Sequence, residues 1–178
     1  ALADALDDLT VVVSVMLVNN EVGTIQPLRE VAALVRDRAP RAVLHTDAVQ
    51  ALGKVPFRPA ELGVDTAAVS AHKFGGPRGI GALYVRQPGV REFLNAGGGQ
   101  EAGRRSGTEN LAGAWALAQV GERAVAGLDE RSRRARGLMD GLLAGLLSLP
   151  GCHILPEGRG AGLPPERFSP YILSAAFP

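Results

Sequence analysis

The sequence predicts an α/β fold: a mostly parallel, helix-covered sheet, with a small α+β unit beginning toward the C-terminal end. Three observations carry this. Short apolar runs alternate with stretches of helical period over the first half of the chain, the pattern of strands joined by crossover helices. Polar residues of chemical interest stand at the ends of those runs, where open α/β sheets bind ligands. A long helical region then replaces the alternation.

Residues 1–9 read as a helix tail or a turn. Val11 to Val18 is an almost unbroken apolar run, as expected of a strand covered on both faces, and it leaves Asn19-Asn20-Glu21 at its C-terminal end. Pro27 suits a first helical turn. Leu28, Val31, Ala32 and Val35 follow at helical spacing, and Pro40 stops the helix. A strand is expected up to Thr46, then a short helix or turn from Asp47, a connector from Gly53, and one helical turn from Pro59 to Leu62. Asp65 to Val69 reads as a strand, followed by a glycine-rich loop and a second strand from Ile80 to Arg86. The link between these two is too short for a crossover helix, which predicts an antiparallel pair.

Residues 87–107 read as a long loop containing Gly97-Gly98-Gly99, and loops of that length are usually functional. Ser106 and Glu109 have capping-box spacing ahead of a helix with Leu111, Ala114, Trp115 and Ala118 on one face. A second helix, from about Asp129 to Leu149, carries Leu138, Met139, Leu142, Leu143, Leu146 and Leu147, and Pro150-Gly151 ends it. His153 to Leu155 reads as an edge strand, 158–167 as a loop and 171–178 as an apolar strand. The expected organisation is a large unit over residues 1–127 and the start of a small C-terminal unit over 128–178.

The 178 residues carry 19 basic and 18 acidic side chains, a net charge of +1. That balance points to neither nucleic acid nor an anionic membrane as partner. Arg131, Arg133, Arg134 and Arg136 read as a solvated helix face. No apolar run approaches the roughly 20 residues of a membrane span, and no signal peptide is recognisable. One cysteine excludes an intrachain disulfide and fits a reducing, cytoplasmic compartment. The chain begins with Ala and ends in an apolar strand, both of which suggest a piece of a longer polypeptide.

Lys73 is the residue with the clearest chemical reading. It lies in Ser70-Ala71-His72-Lys73-Phe74-Gly75-Gly76, between two predicted strands. A lysine at a strand end in low-dielectric surroundings has a depressed pKa, and its neutral amine attacks aldehydes. Asp47 follows Ala42-Val43-Leu44-His45-Thr46 at the end of another strand. A Schiff-base lysine with an aspartate partner for a pyridine nitrogen is the protein signature of pyridoxal phosphate. If the two strands are parallel neighbours, Asp47 and Lys73 share one sheet edge. Each residue also has an ordinary role available: Asp47 as a helix N-cap, Lys73 as a surface lysine in a turn.

Four stretches carry a resemblance over nearly the whole chain. They are Ser14-Val15-Met16-Leu17-Val18-Asn19-Asn20-Glu21-Val22-Gly23-Thr24, His45-Thr46-Asp47-Ala48-Val49-Gln50, Ser70-Ala71-His72-Lys73 with its glycines, and Gly103-Arg104-Arg105-Ser106-Gly107-Thr108-Glu109-Asn110. In order and spacing they resemble the cysteine desulfurases of the class V aminotransferase family. The resemblance implies the large domain of a pyridoxal-phosphate-dependent fold type I enzyme, with pyridoxal 5'-phosphate as cofactor. It implies conversion of L-cysteine to L-alanine, with persulfide sulfur passed to an acceptor protein, an iron–sulfur scaffold or a tRNA-thiolation protein. It also implies a homodimer. Other class V activities (selenocysteine lyase or aminotransferase) stay open, as does an inactive remnant that acts only through dimerisation or partner binding.

By the same resemblance Lys73 is the Schiff-base lysine and the proton shuttle at the substrate α-carbon. Asp47 faces the ring nitrogen, and Gln50 hydrogen-bonds the ring hydroxyl oxygen. Ser70 and His72 hold the phosphate. Asn20 lies near the ring and the substrate carboxylate, and Thr108 reaches the phosphate bound in the other subunit. Cys152, after the helix end Leu149-Pro150-Gly151, has no family motif around it and is rejected as the sulfur nucleophile. The family's catalytic cysteine is expected beyond Pro178, so the chain alone is expected to be inactive.

Overall fold

The computed structural model describes residues 1–86, 97–160 and 162–177. A short helix, α1 (Leu2–Ala5), precedes β1 (Val12–Ser14). Next come α2 (Leu28–Arg38), β2 (Val43–Asp47), a single helical turn α3 (Pro59–Leu62), β3 (Thr66–Ser70) and β4 (Gly81–Val85). Two long helices, α4 (Leu111–Ala126) and α5 (Leu128–Leu147), meet at Gly127. Strands β5 (His153–Leu155) and β6 (Ser174–Ala176) form a separate antiparallel pair.

The four-stranded sheet has the order β1-β2-β3-β4. β1, β2 and β3 are parallel neighbours, and β4 runs antiparallel to β3, so the short link between the last two strands made the hairpin expected of it. Successive strand residues point to opposite faces. One face carries Val13, Leu44, Thr46 and Ala67, which are almost wholly buried. They join Leu28, Ala32 and Val35 of α2 in a single cluster that also takes in Leu17, Val18, Val55 and Val64. Burying Leu44 completely is worth about 1.5–3 kcal/mol.

The other face is only partly covered by the described residues: Thr66 is buried, but the edges of the face are open. Val12 is 58% exposed and Leu83 48%, so the expectation of a first strand covered on both faces is corrected. That strand is also shorter than the apolar run suggested. After Ser14 the chain still pairs with β2, through Val15 N–H to the His45 carbonyl at 3.0 Å and Leu17 N–H to the Asp47 carbonyl at 2.9 Å. Thr46 Oγ1 donates to the Val15 carbonyl at 2.8 Å. Val18 then turns back to pair with Ile25, and Asn19 ties the tip by accepting from the Glu21 and Val22 amides through its Oδ1.

α2 is fixed to the sheet by charge as well as packing. Arg36 donates to both carboxylate oxygens of Asp65 at 2.7 and 2.6 Å, and Asp65 Oδ2 accepts from the Leu44 amide at 2.8 Å. α4 is capped by Asn110, whose Oδ1 accepts from the Gly113 amide at 2.9 Å. This corrects the capping box expected from Ser106 and Glu109: Asn110, four residues after Ser106, has both the short side chain and the N-cap position. The face of α4 with Leu111 and Trp115 is exposed at 75% and 69%; the inward side presents Val120, Gly121 and Ala124. Close approach there needs glycine. A Cβ at Gly76 would meet Val120 Cγ2 at 2.9 Å and Ala71 Cβ at 2.8 Å, and one at Gly53 would meet Ala124 Cβ at 2.7 Å.

Of the four arginines read as a solvated face, Arg133 and Arg134 are exposed as expected, while Arg131 and Arg136 reach beyond their own helix. Arg131 donates to the carbonyls of Ala124 and Gly53, and Arg136 to the carbonyl of Pro165. Arg133 donates to the Asp129 carbonyl within its own helix. No helix among the described residues is long and apolar enough to cross a membrane.

Candidate active site

The C-terminal ends of β2 and β3 lie side by side. Asp47 ends β2 opposite Ala68 of β3, and Ser70, two residues further on, lies on the same face as Ala68. β3 therefore delivers Ser70 to the edge that carries Asp47. A 3₁₀ turn over Ala71–Lys73 follows, so Lys73 ends this turn and not the strand. Ala71 is fully buried and pins the turn, while His72 and Lys73 are exposed. The low-dielectric surroundings expected for Lys73 are thus corrected: it ends a 3₁₀ turn beyond the strand, and the described residues leave it exposed.

Hydrogen bonds set the polar groups of this rim. Ser70 Oγ and His72 Nδ1 are 2.9 Å apart. Both groups donate outward together only when the imidazole is protonated on both nitrogens; otherwise their contact consumes one donor. Asp47 Oδ1 accepts from the Val49 amide at 2.8 Å, which starts the turn after β2. Asp47 thus performs its local turn role and keeps its second carboxylate oxygen for another partner. Within that turn Lys54 Nζ donates to Gln50 Oε1 at 2.6 Å.

Lys54 was missed in the sequence, where it read only as part of a connector. It and Lys73 are the chain's two lysines, and they lie close enough to interact. Burial, and secondarily the charge of Lys73, pulls the Lys54 pKa below the ordinary lysine value. The two line a cavity of about 370 Å³ with Gly53, Phe74, Ala124 and Tyr171. The available signal was the i, i+4 spacing from Gln50 to Lys54, which puts the two side chains together only if the segment coils helically.

Asn20 lies at the exposed tip of the hairpin that Leu17 joins to the end of β2. A second missed residue, Arg159, braces that hairpin. It is 3% exposed, donates to the carbonyls of Val22 at 2.8 Å and Ser169 at 3.2 Å, and stacks on Phe168 at 4.7 Å. Burial lowers its pKa. Nothing in its glycine-rich surroundings in the sequence marks it as a core cation. Thr108 does not join the Lys73 group. It lines a different cavity, of about 640 Å³, with Gly81, Leu83, Arg104 and Arg105. Cys152 is half-buried just past α5 and lines neither cavity.

The donor set fits a phosphorylated pyridine aldehyde. Asp47 offers a carboxylate, Gln50 an amide, Ser70 and His72 a hydroxyl and an imidazole, and Lys73 an amine, all on the ends of two adjacent strands or the turns that follow them. Among the described residues no group of His, Cys, Asp and Glu could hold a metal ion.

Known proteins resemble the chain in both sequence and shape. The family model described as aminotransferase class-V matches residues 1–162. A protein of Methanosarcina thermophila named cysteine desulfurase IscS is 42% identical over 153 residues, 86% of this chain and 37% of that protein. A cysteine desulfurase of Gluconacetobacter diazotrophicus is 46% identical over 144 residues, 80% of this chain and 35% of its own length. A solved structure described as a NifS-like protein superposes with a TM-score of 0.87 at 40% identity, covering 99% of this chain and 46% of that one. The chain therefore spans little more than a third of these relatives and just under half of the solved structure.

Proposed function

This chain belongs to the aminotransferase class-V family, and from that premise we propose that it forms the central cofactor-binding part of a pyridoxal-phosphate-dependent cysteine desulfurase. The observation that carries the reading is the juxtaposition at the ends of β2 and β3: Asp47 and Ser70 on one face of adjacent parallel strands, with Lys73 three residues beyond. When bound, pyridoxal phosphate supplies an electron sink for a carbanion at the substrate α-carbon. The residues do the rest. Lys73 would be the amine that holds the cofactor aldehyde and, once released from it, the base that carries the proton at the substrate α-carbon. Asp47 would hold the proton on the ring nitrogen, Gln50 would donate to the ring oxygen, and Ser70 and His72 would donate to the phosphate. Asn20 contacts the substrate carboxylate from the hairpin tip.

In this reading L-cysteine loses its sulfur to a thiolate. That thiolate attacks the sulfur and becomes a persulfide, while the carbon skeleton keeps the C–S bonding pair, takes up a proton at its β-carbon and leaves as L-alanine. In this reading Cys152, which follows the end of α5 with no family motif around it, is not the receiving thiol, and that cysteine lies C-terminal to Pro178. The persulfide passes to an acceptor serving iron–sulfur assembly or tRNA thiolation, in the cytoplasm. The separate position of Thr108 supports a composite site in which it serves the second subunit of a homodimer.

Because the chain has two lysines, the reading has a direct chemical test. The purified chain is incubated with pyridoxal phosphate, reduced with borohydride and peptide-mapped. The expected label is on Lys73, with the visible band of the bound cofactor lost in Lys73→Ala. A label on Lys54 or the N-terminal amine in its place, or no label on a folded chain, overturns the assignment.

A further inference from the structure

We propose that Lys54 is a positioning residue that holds the Gln50 side chain with its amide nitrogen turned outward, as a donor to the ring oxygen of the cofactor. The inference rests on the function proposed above and assigns that site a residue it does not yet contain. An ammonium group only donates, so the Gln50 atom 2.6 Å from Lys54 Nζ has to be the amide oxygen. The two branches of the amide are fixed relative to one another, so the NH2 group occupies the other branch. A glutamine free to flip would offer a donor or an acceptor; this one offers a donor.

The backbone supports the contact. Ala51 N–H bonds to the Ala48 carbonyl, Lys54 N–H and Val55 N–H both bond to the Ala51 carbonyl, and the resulting coil brings positions 50 and 54 together. Gly53, packed on Ala124 of α4, keeps the turn against the helix. Lys54 is itself half-buried beside Lys73, so its stem has little freedom. A positive charge behind the amide also polarises its N–H bonds, which strengthens donation to an anionic ring oxygen.

Two measurements on the full chain test this. The first needs no cofactor: the Gln50 side-chain amide is followed by nitrogen–proton NMR. A distinct Gln50 resonance pair is expected in the parent chain, to collapse toward the free-glutamine position in Lys54→Met and to be retained in Lys54→Arg. The second is cofactor affinity in a double-mutant cycle. Lys54→Met and Gln50→Ala should each weaken pyridoxal phosphate binding by about three- to tenfold, and the double variant by no more than the worse single one. Lys54→Gln takes the place of Lys54→Met if the latter is unfolded by circular dichroism. An unchanged Gln50 resonance in a folded Lys54 variant, or fully additive losses in affinity, overturns the proposal. Absence of label on Lys73 in the parent chain overturns the functional reading instead, while the resonance measurement still reports on the Lys54 contact.

Discussion

On one face of the sheet Val13, Leu44, Thr46 and Ala67 are packed under α2, and Leu44 and Thr46 are fully buried. On the other, Val12 and Leu83 are more than 45% exposed, His45 Nδ1 and Thr66 Oγ1 meet at 2.8 Å, and Asp47 and Ser70 lie toward the rim. The same strands make both faces, one residue apart. Alternation along β2 therefore separates two tasks: Leu44 and Thr46 hold the strand in place, while His45 and Asp47 present polar groups on the opposite side. The packed face sets where the strand ends lie, and the polar face uses them.

The largest expected effect comes from breaking the packed face. Leu44→Ala should cost about 2–5 kcal/mol, read as a lowered midpoint in urea unfolding. A loss below about 1 kcal/mol would show that α2 does not seal this face. Next is Asp65→Asn, which removes the charge that holds Arg36 and weakens acceptance from the Leu44 amide. It should cost about 1–3 kcal/mol and loosen α2 from the sheet, visible as faster amide exchange at Leu44.

A smaller and pH-dependent effect is expected at the rim. The folded-state pKa of Lys54 is lowered, by burial first and by Lys73 second, from the ordinary 10.5. Between the lowered value and 10.5 the unfolded chain binds a proton that the folded chain has released, so this group makes stability rise with pH across that window. Urea midpoints measured on either side of it should show the rise in the parent chain and a smaller one in Lys54→Met. An equal rise in both would remove Lys54 from its half-buried position. The smallest effect is expected on the open face, where Leu83→Thr should change stability by no more than about 0.5 kcal/mol. A loss above 1 kcal/mol there would mean that Leu83 is covered in solution, and the contrast between the faces would fail.

Much of this is legible in the sequence. Period and punctuation located α2, β2, β3, β4 and the two long helices to within a few residues, because each is defined by local spacing and by Pro or Gly at its ends. The antiparallel β3–β4 pair followed from loop length alone. Sequence order also placed Asp47 and Ser70 at strand ends. The hairpin after Ser14 was not legible, because the run from Val15 to Val18 is as apolar as a strand; its reversal depends on Asn19 accepting two amides and on Thr46 donating to the Val15 carbonyl, 31 residues away in sequence.

By itself the sequence determined what depends on neighbours along the chain: the periodic elements and the motif residues Asp47, Gln50, Ser70, His72 and Lys73. Only the tertiary structure decided which sheet face is packed, that Lys73 stands exposed on a 3₁₀ turn, that Lys54 grips Gln50 beside it, and that Arg159 braces the Asn20 hairpin from 137 residues beyond Val22. These depend on which distant segments come to share a surface and on how much water remains there, and no local pattern encodes either.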